Sequence, residues 1–195
     1  AQRGGFFGFA VSVHGNTAAI GATFADGSQV DTGAAYLFRR QGSWQQTQKV
    51  AGAGGQPFDR FGYDVSLRGN NLLVGAPFAD AAGSNSGSAY AYHRNGSLWT
   101  LASELSAPGT SAGDWFGFAV AAHGNRAAVG APGQGGDGAV LMFSDSGGVW
   151  SPLGSVTPPS ATTGFGRALD LNANRLLVGA PLDSGAAPNA GAVFS

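Results

Sequence analysis

Acidic and amide side chains recur at matching loop positions, and their oxygens are the groups best suited to binding chemistry. Asp31, Asn85 and Asn189 each stand two residues before a glycine, and Asp26 matches Asp80. Such oxygens could contact a cation or a glycan, although two per loop fall short of the six to eight that Ca²⁺ takes. The alternative is an Asx turn that fixes the loop. The candidate binding residues are Asp26, Asp31, Asp80, Asn85, Asp137, Asp183 and Asn189.

Catalytic chemistry has little support in the sequence. His14 and His123 occupy the same place before a Gly-Asn turn, and Glu104 is the only glutamate. No nucleophile elbow, His-Glu-x-x-His motif or phosphate-binding loop occurs. Asp59 and Asp114, each two residues before a Phe-Gly pair, are interpreted as turn formers. The sequence predicts no catalytic residue, no metal ligand and no enzyme.

The elements that position these residues come from an internal repeat. Phe-Gly pairs at Phe7, Phe61, Phe116 and Phe165 are spaced by 54, 55 and 49 residues. Each is followed by Gly-Ala-Thr or Gly-Ala-Pro, a polar loop and a glycine with an aromatic run. The first three copies then carry a tryptophan: Trp44, Trp99 and Trp150. Copies are predicted at about 6–57, 58–112, 113–161 and 162–195.

Each copy is predicted to contain four short strands. The first alternates bulky and small residues, as Phe61, Tyr63, Val65 and Leu67 do around Gly62, Asp64 and Ser66. The second is a continuous apolar run, and the polar, Trp-bearing fourth strand is expected at the outer edge. Four-stranded sheets repeated every fifty residues or so are typical of an all-β, β-propeller fold. A β-sandwich is the alternative.

Composition excludes several classes of function. The 195 residues include 34 glycines and no cysteine, and the formal net charge is −1. That balance argues against a nucleic-acid-binding groove, and apolar runs of four or five residues are too short to insert into a membrane. No disulfide framework or thiolate chemistry is available to the chain.

The paired Phe-Gly and Gly-Ala-Pro motifs resemble the FG-GAP family, the blade motif of integrin α-subunit heads. The spacing and the run Gly87 to Tyr90 are most similar to its bacterial branch. The resemblance covers residues 6–195 and implies a secreted or surface-exposed propeller that acts in adhesion, protein recognition or assembly. The calcium loop of integrin-like copies is replaced here by a two-residue turn. No cofactor is therefore predicted, and Ca²⁺ is kept only as an alternative ligand.

Two other questions stay open at this stage. The resemblance extends to lectins with sugar pockets between blades, for which Trp115 and Tyr63 are the candidate stacking residues. The fourth copy ends at Ser195, in its third strand. The expectations are a fragment of a larger propeller, a four-bladed ring with one three-stranded blade, or completion by another chain. A protein partner or self-association is predicted, with a glycan as the alternative.

Overall fold

The computed structural model describes residues 4–27, 29–106 and 108–195. These residues form four antiparallel sheets, and no helix occurs among them. The sheets are four blades of a β-propeller, which confirms the predicted fold class.

Fifteen strands of the described residues make up the blades. Blade 1 contains β1 (Phe7–His14), β2 (Thr17–Ala22), β3 (Ala34–Gln41) and β4 (Ser43–Val50). Blade 2 contains β5 (Val65–Arg68), β6 (Asn71–Ala76), β7 (Ser88–Asn95) and β8 (Leu98–Leu105). Blade 3 contains β9 (Val120–His123), β10 (Arg126–Ala131), β11 (Ala139–Ser146) and β12 (Val149–Val156). Blade 4 contains β13 (Ala168–Leu171), β14 (Leu176–Ala180) and β15 (Ala192–Phe194).

The strands of each blade lie side by side in chain order. First strands of consecutive blades contact one another: β1 with β5, β5 with β9, and β9 with β13. The first strands are therefore innermost, and the Trp-bearing β4, β8 and β12 form outer edges, as the sequence predicts. No comparable packing joins β13 to β1, so blades 1 and 4 each have a face that no other described blade covers.

A hydrophobic core fills each junction between consecutive blades. At the first junction, Ala19 and Ala35 of blade 1 face Phe61, Val65 and Leu67 of blade 2. Phe116 and Phe165 take the place of Phe61 at the next two junctions. The bulky face of each first strand thus packs on small residues of the preceding blade, as expected for sheets stacked face to face.

The first strands of blades 2 to 4 are shorter than predicted. The sequence predicts a strand through the Phe-Gly pair, whereas the regular strand begins only at Val65 in blade 2. The Phe61 N–H donates to the Thr32 carbonyl of blade 1 (2.9 Å) instead of to its own sheet. The N–H groups of Gly62 and Tyr63 then share one acceptor, the Gly75 carbonyl, at 3.0 and 3.2 Å. The Phe-Gly segment is therefore a bulge that joins two blades.

Candidate functional site

Asp31, Asn85 and Asn189 adopt the same backbone conformation in their three loops. Their φ angles are 55°, 53° and 53°, in the left-handed region that Asn and Asp tolerate better than most residues. The backbone requirement therefore accounts for the residue type at this position. The same requirement is a sufficient reason for Asp or Asn to recur in all three loops.

The carboxylates of Asp26 and Asp80 hold these loops closed. Asp26 Oδ1 accepts the Asp31 N–H at 3.1 Å, and Asp80 Oδ1 accepts the Asn85 N–H at 2.7 Å. In blade 4 the equivalent acceptor is the Ser184 hydroxyl, 3.1 Å from the Asn189 nitrogen. Each of these hydrogen bonds spans five residues and closes the loop from within, so it is longer than the Asx turn expected from the sequence.

Asp137 and Asp183 meet at the junction between blades 3 and 4. Asp137 Oδ1 accepts the Thr162 N–H at 3.2 Å, and Asp183 accepts from the Thr162 hydroxyl and from the Gly185 N–H. The Thr162 hydrogen bond, with that of Gly185, lowers the pKa of Asp183. Asp183 is therefore not the counterpart of Asp26. Counting five residues back from Asn189 would have identified Ser184.

The turn-forming role predicted for Asp59 and Asp114 is confirmed. Each carboxylate accepts, at 2.7 Å, the N–H of the residue three positions earlier, Gln56 or Ser111. Both aspartates are buried, and burial raises the pKa of Asp59. No group of three or more His, Asp or Glu side chains that could hold a metal ion is found among the described residues.

A second set of side chains forms one continuous line of contacts across all four blades. Most of them flank the Phe-Gly pairs, and Phe24 and Phe78 follow the Gly-Ala-Thr and Gly-Ala-Pro motifs. We call this set the aromatic–arginine row. None of its members is buried. The row consists of Phe6, Phe9, Phe24, Arg60, Tyr63, Phe78, Trp115, Phe118 and Arg167.

Tyr63 lies at the centre of the row. Its ring centre is 5.0 Å from that of Phe9 and 4.9 Å from that of Phe118, and Phe78 lies at 5.9 Å. Burial raises the pKa of Tyr63. The predicted sugar-stacking residue therefore packs against three aromatic rings of the protein itself.

Two arginines complete the row with cation–π contacts. The Arg60 guanidinium lies 4.2 Å from the Phe24 ring centre and 5.1 Å from that of Phe78. The Arg167 guanidinium lies 5.2 Å from the Phe118 ring and 5.9 Å from that of Trp115. Arg167 Nε is buried and has no hydrogen-bond partner among the described residues, which is unusual for a buried donor.

Three members of the row sit in a strained backbone conformation. Phe6, Arg60 and Trp115 each precede a Phe-Gly pair by one residue and have φ angles of 48°, 58° and 54°. Large side chains rarely adopt this region. Blade 4 has Gly164 at the equivalent position, where the Arg167 side chain lies so close that a Cβ would crowd it.

Sequence reasoning found Tyr63 and Trp115 but missed the rest of the row. A signal was present: the Phe-Gly pair is constant in the four copies, whereas the residues just before and just after it vary. The residues that follow it are Phe9, Tyr63, Phe118 and Arg167. These two positions therefore mark one place where the blades differ in surface chemistry.

Asp64 is an acid at a blade junction where the other copies have alanine. Its carboxylate accepts the Val65 N–H at 2.9 Å and, across the junction, the Val120 N–H at 2.7 Å. Burial raises the pKa of Asp64 to about 6, against the opposing effect of those two hydrogen bonds. The carboxylate therefore links blades 2 and 3.

An apolar cleft of about 780 Å³ lies between blades 3 and 4. Phe165, Leu176 and Val178 line it, at the repeat positions of Phe61, Leu72 and Val74. In blade 2 those residues pack in one cluster with the buried Trp99 of the fourth strand. The cleft therefore corresponds to the place that a Trp-bearing fourth strand takes in the other blades.

Comparison with known proteins agrees with the repeat geometry. A family model described as the FG-GAP repeat matches residues 1–38, 44–92 and 99–147, more than half of the chain. No curated protein matches the chain. Within the part of the chain that the structure describes, no helix has the length and apolar character needed to cross a membrane. On its repeated motifs, its blades and this match, the chain belongs to the FG-GAP repeat family.

Proposed function

We propose that the protein is a non-catalytic recognition module of an extracellular or surface-exposed protein, acting in adhesion or assembly. Its ligand is a protein partner, and the aromatic–arginine row is the surface that binds it. Membership of the FG-GAP repeat family supports a recognition role, and the row supplies a surface that differs from blade to blade on a constant scaffold.

The observation that carries this proposal is the strain at Phe6, Arg60 and Trp115. Glycine adopts their backbone conformation without cost, and blade 4 uses glycine there. Placing a large side chain in this region costs of the order of 1 kcal/mol or more. Three such residues at one repeat position, all in contact with the same row, indicate a surface kept for binding rather than for stability.

The chemistry of the row defines the partner. Aromatic rings and arginines are enriched where proteins bind one another. Arg60 and Arg167 add positive charge to the aromatic surface. The partner is therefore a protein segment that presents a carboxylate next to an apolar side chain.

Selection from a random displayed peptide library tests this proposal. Sequences that combine Asp or Glu with an apolar residue should be enriched on the wild-type protein, and enrichment should be lost with Arg60→Ala and Arg167→Ala. Arg126→Ala is the matched control because Arg126 is exposed and begins β10, outside the row. No enrichment, or equal enrichment on all variants, would contradict the proposal.

A glycan is the second candidate, favoured by the partly exposed ring of Trp115. Aromatic rings stack on the apolar faces of sugars, and the Trp115 ring lies at the surface with the Arg167 guanidinium 5.9 Å from its centre. A glycan array measures this directly: saturable sugar binding that Trp115→Ala abolishes would establish the lectin function. An array without a specific signal would eliminate it.

A further inference from the structure

Blades pack on one another through a repeated backbone contact. In the first three blades the glycine of the second strand, Gly21, Gly75 or Gly130, lies so close to the next blade that a Cβ would overlap its backbone. Gly179, the equivalent residue of blade 4, has within contact distance only Ala168 of its own blade. Gly8, the Phe-Gly glycine of blade 1, has open space around it. Within the described residues, the contact therefore has only one of its two halves at each end of the series of blades.

Blade 1 exposes the bulky half of a blade junction. Its leading face consists of Phe7, Val11 and Val13, with exposed fractions of 42%, 71% and 63%. The residues at the same positions of blade 2 are only 1%, 5% and 3% exposed, because blade 1 covers them. The leading face therefore has the residue types of a buried blade junction, but no described blade covers it.

Blade 4 exposes the complementary half. Its trailing face contains Leu177 and Val193, which are 41% and 74% exposed. The equivalent residues of blade 1, Ala19 and Ala35, are fully buried under blade 2. Gly191 also belongs to this face: a Cβ at the equivalent glycines of the other blades would overlap the next Phe-Gly segment, whereas Gly191 faces only Pro181 of its own blade.

Polar groups on the two faces match as well. The Ser12 hydroxyl of blade 1 accepts the Leu67 N–H of blade 2 at 3.0 Å, and Ser66 accepts the Ala122 N–H of blade 3 at the same distance. Asp170 occupies this position in blade 4 and is exposed. The residue that corresponds to Leu67 in blade 1 is Val13, whose N–H would be the donor to Asp170.

We propose that the leading face of one copy of this chain docks on the trailing face of a second copy, reproducing the junction that occurs three times inside the chain. The occupant is a second copy because this chain carries both halves of the contact. The interface is heterologous, so it generates a ring if it closes and a filament if it does not. Two chains give eight blades, within the range of known propellers. The closed form is therefore a two-fold symmetric dimer.

Molar mass in solution, measured by light scattering over a concentration series, tests the proposal. As the concentration increases, the measured molar mass of the wild-type protein should rise from 19.4 kDa, the mass of one chain, to a multiple of that value. Val13→Lys places a charge in the leading face, and Gly179→Ala places a Cβ in the trailing face. Each should weaken association about 100-fold or more, since both unpaired buried charge and backbone overlap are costly.

Mixing the variants distinguishes this arrangement from any other. The Val13→Lys chain keeps an intact trailing face and the Gly179→Ala chain an intact leading face, so their equimolar mixture should regain a two-chain complex. Leu98→Lys is the control, because Leu98 is 60% exposed on the outer strand β8 and should leave association unchanged. Thermal melting of each variant verifies that the monomer is folded.

Three outcomes overturn the proposal. The first is a wild-type chain that stays at the monomer mass throughout the concentration series. The second is an oligomer that neither substitution weakens. The third is a variant mixture that fails to associate although both variants are folded and separately monomeric.

Discussion

At the scale of single residues, two groups of side chains share the left-handed backbone conformation for different reasons. Asp31, Asn85 and Asn189 are residue types that suit this conformation, and carboxylate or hydroxyl groups of their own loops fix it. Phe6 and Arg60 do not suit it, yet their side chains join a surface row. Folding is a sufficient reason for Asp or Asn at the loop positions. Folding gives no reason for Phe or Arg at the other positions, so a function is the better explanation there.

Replacing Arg60 by glycine and by alanine separates strain from packing. Both substitutions remove the contacts with Phe24 and Phe78, but only alanine keeps the strained φ of 58°. Arg60→Gly should therefore be more stable than Arg60→Ala by about 1 kcal/mol. Chemical denaturation measures the difference. An alanine variant at least as stable as the glycine variant would show that the position is not strained in solution.

Asp64 should make stability depend on pH. Its pKa is about 6 in the folded protein and near 3.9 when unfolded, so between these values the folded state binds the proton more tightly. Stability should therefore fall as the pH rises from about 4 to 6. Relative to Asp64→Asn, the wild type should lose about 1 to 2 kcal/mol between pH 4 and pH 7.

Denaturation of both proteins across this pH range tests the assignment, because contributions from all other groups cancel in the difference. A difference that does not change with pH would mean that the Asp64 carboxyl is hydrated in the folded state.

At the scale of elements, the junction between blades depends on where side chains are absent. Glycines in β2, β6 and β10 let the next Phe-Gly segment approach backbone to backbone. Bulky residues of the next first strand then fill the space over small residues such as Ala19 and Ala35. The alternation read from the sequence is therefore a property of a pair of blades.

Gly75→Ala should damage this junction, whereas Gly179→Ala should not damage the fold. At Gly75 a Cβ would overlap the Gly117 carbonyl of blade 3, so blades 2 and 3 must separate. The expected loss is about 3 kcal/mol or more, as for severe overpacking. At Gly179 the nearest neighbour is the Ala168 side chain, and the loss should stay within about 1 kcal/mol.

Thermal or denaturant unfolding of the two variants at a concentration where the chain is monomeric provides the measurement. Equal stability of the two would show that the backbone approach at Gly75 is relaxed in solution.

At the scale of the whole molecule, the four blades form a series in which each blade covers the next. Loops that carry Asp26 and Asp80 connect strands within a blade, and carbonyls of the same loops bond to the following blade. The Phe58 N–H, for example, donates to the Asp31 carbonyl at 3.1 Å. Backbone hydrogen bonds of the protein make these connections.

Removal of divalent cations should therefore leave the melting temperature unchanged. A ligand that binds only the folded state raises its stability, so a structural Ca²⁺ ion would be revealed by a fall of several degrees in EDTA. Melting curves in excess EDTA and in millimolar CaCl₂ give the comparison. A fall in EDTA that CaCl₂ reverses would instead establish a calcium site in these loops.

The sequence by itself determined the repeat, the all-β class and the strand order, because side-chain alternation and turn glycines are local and recur in every copy. It also indicated that the loop aspartates could fix their own loops, since such hydrogen bonds act within a few residues. It extended the first strands through Phe61, whose N–H bonds to the preceding blade.

Only the tertiary structure decided which surfaces exist. The aromatic–arginine row joins residues from four blades, and the exposed faces of blades 1 and 4 follow from which blade covers which. Both depend on distances between residues about fifty positions apart, such as Phe9 to Tyr63 and Tyr63 to Phe118. Such distances are set by how the sheets stack, and no local pattern in the chain specifies that stacking.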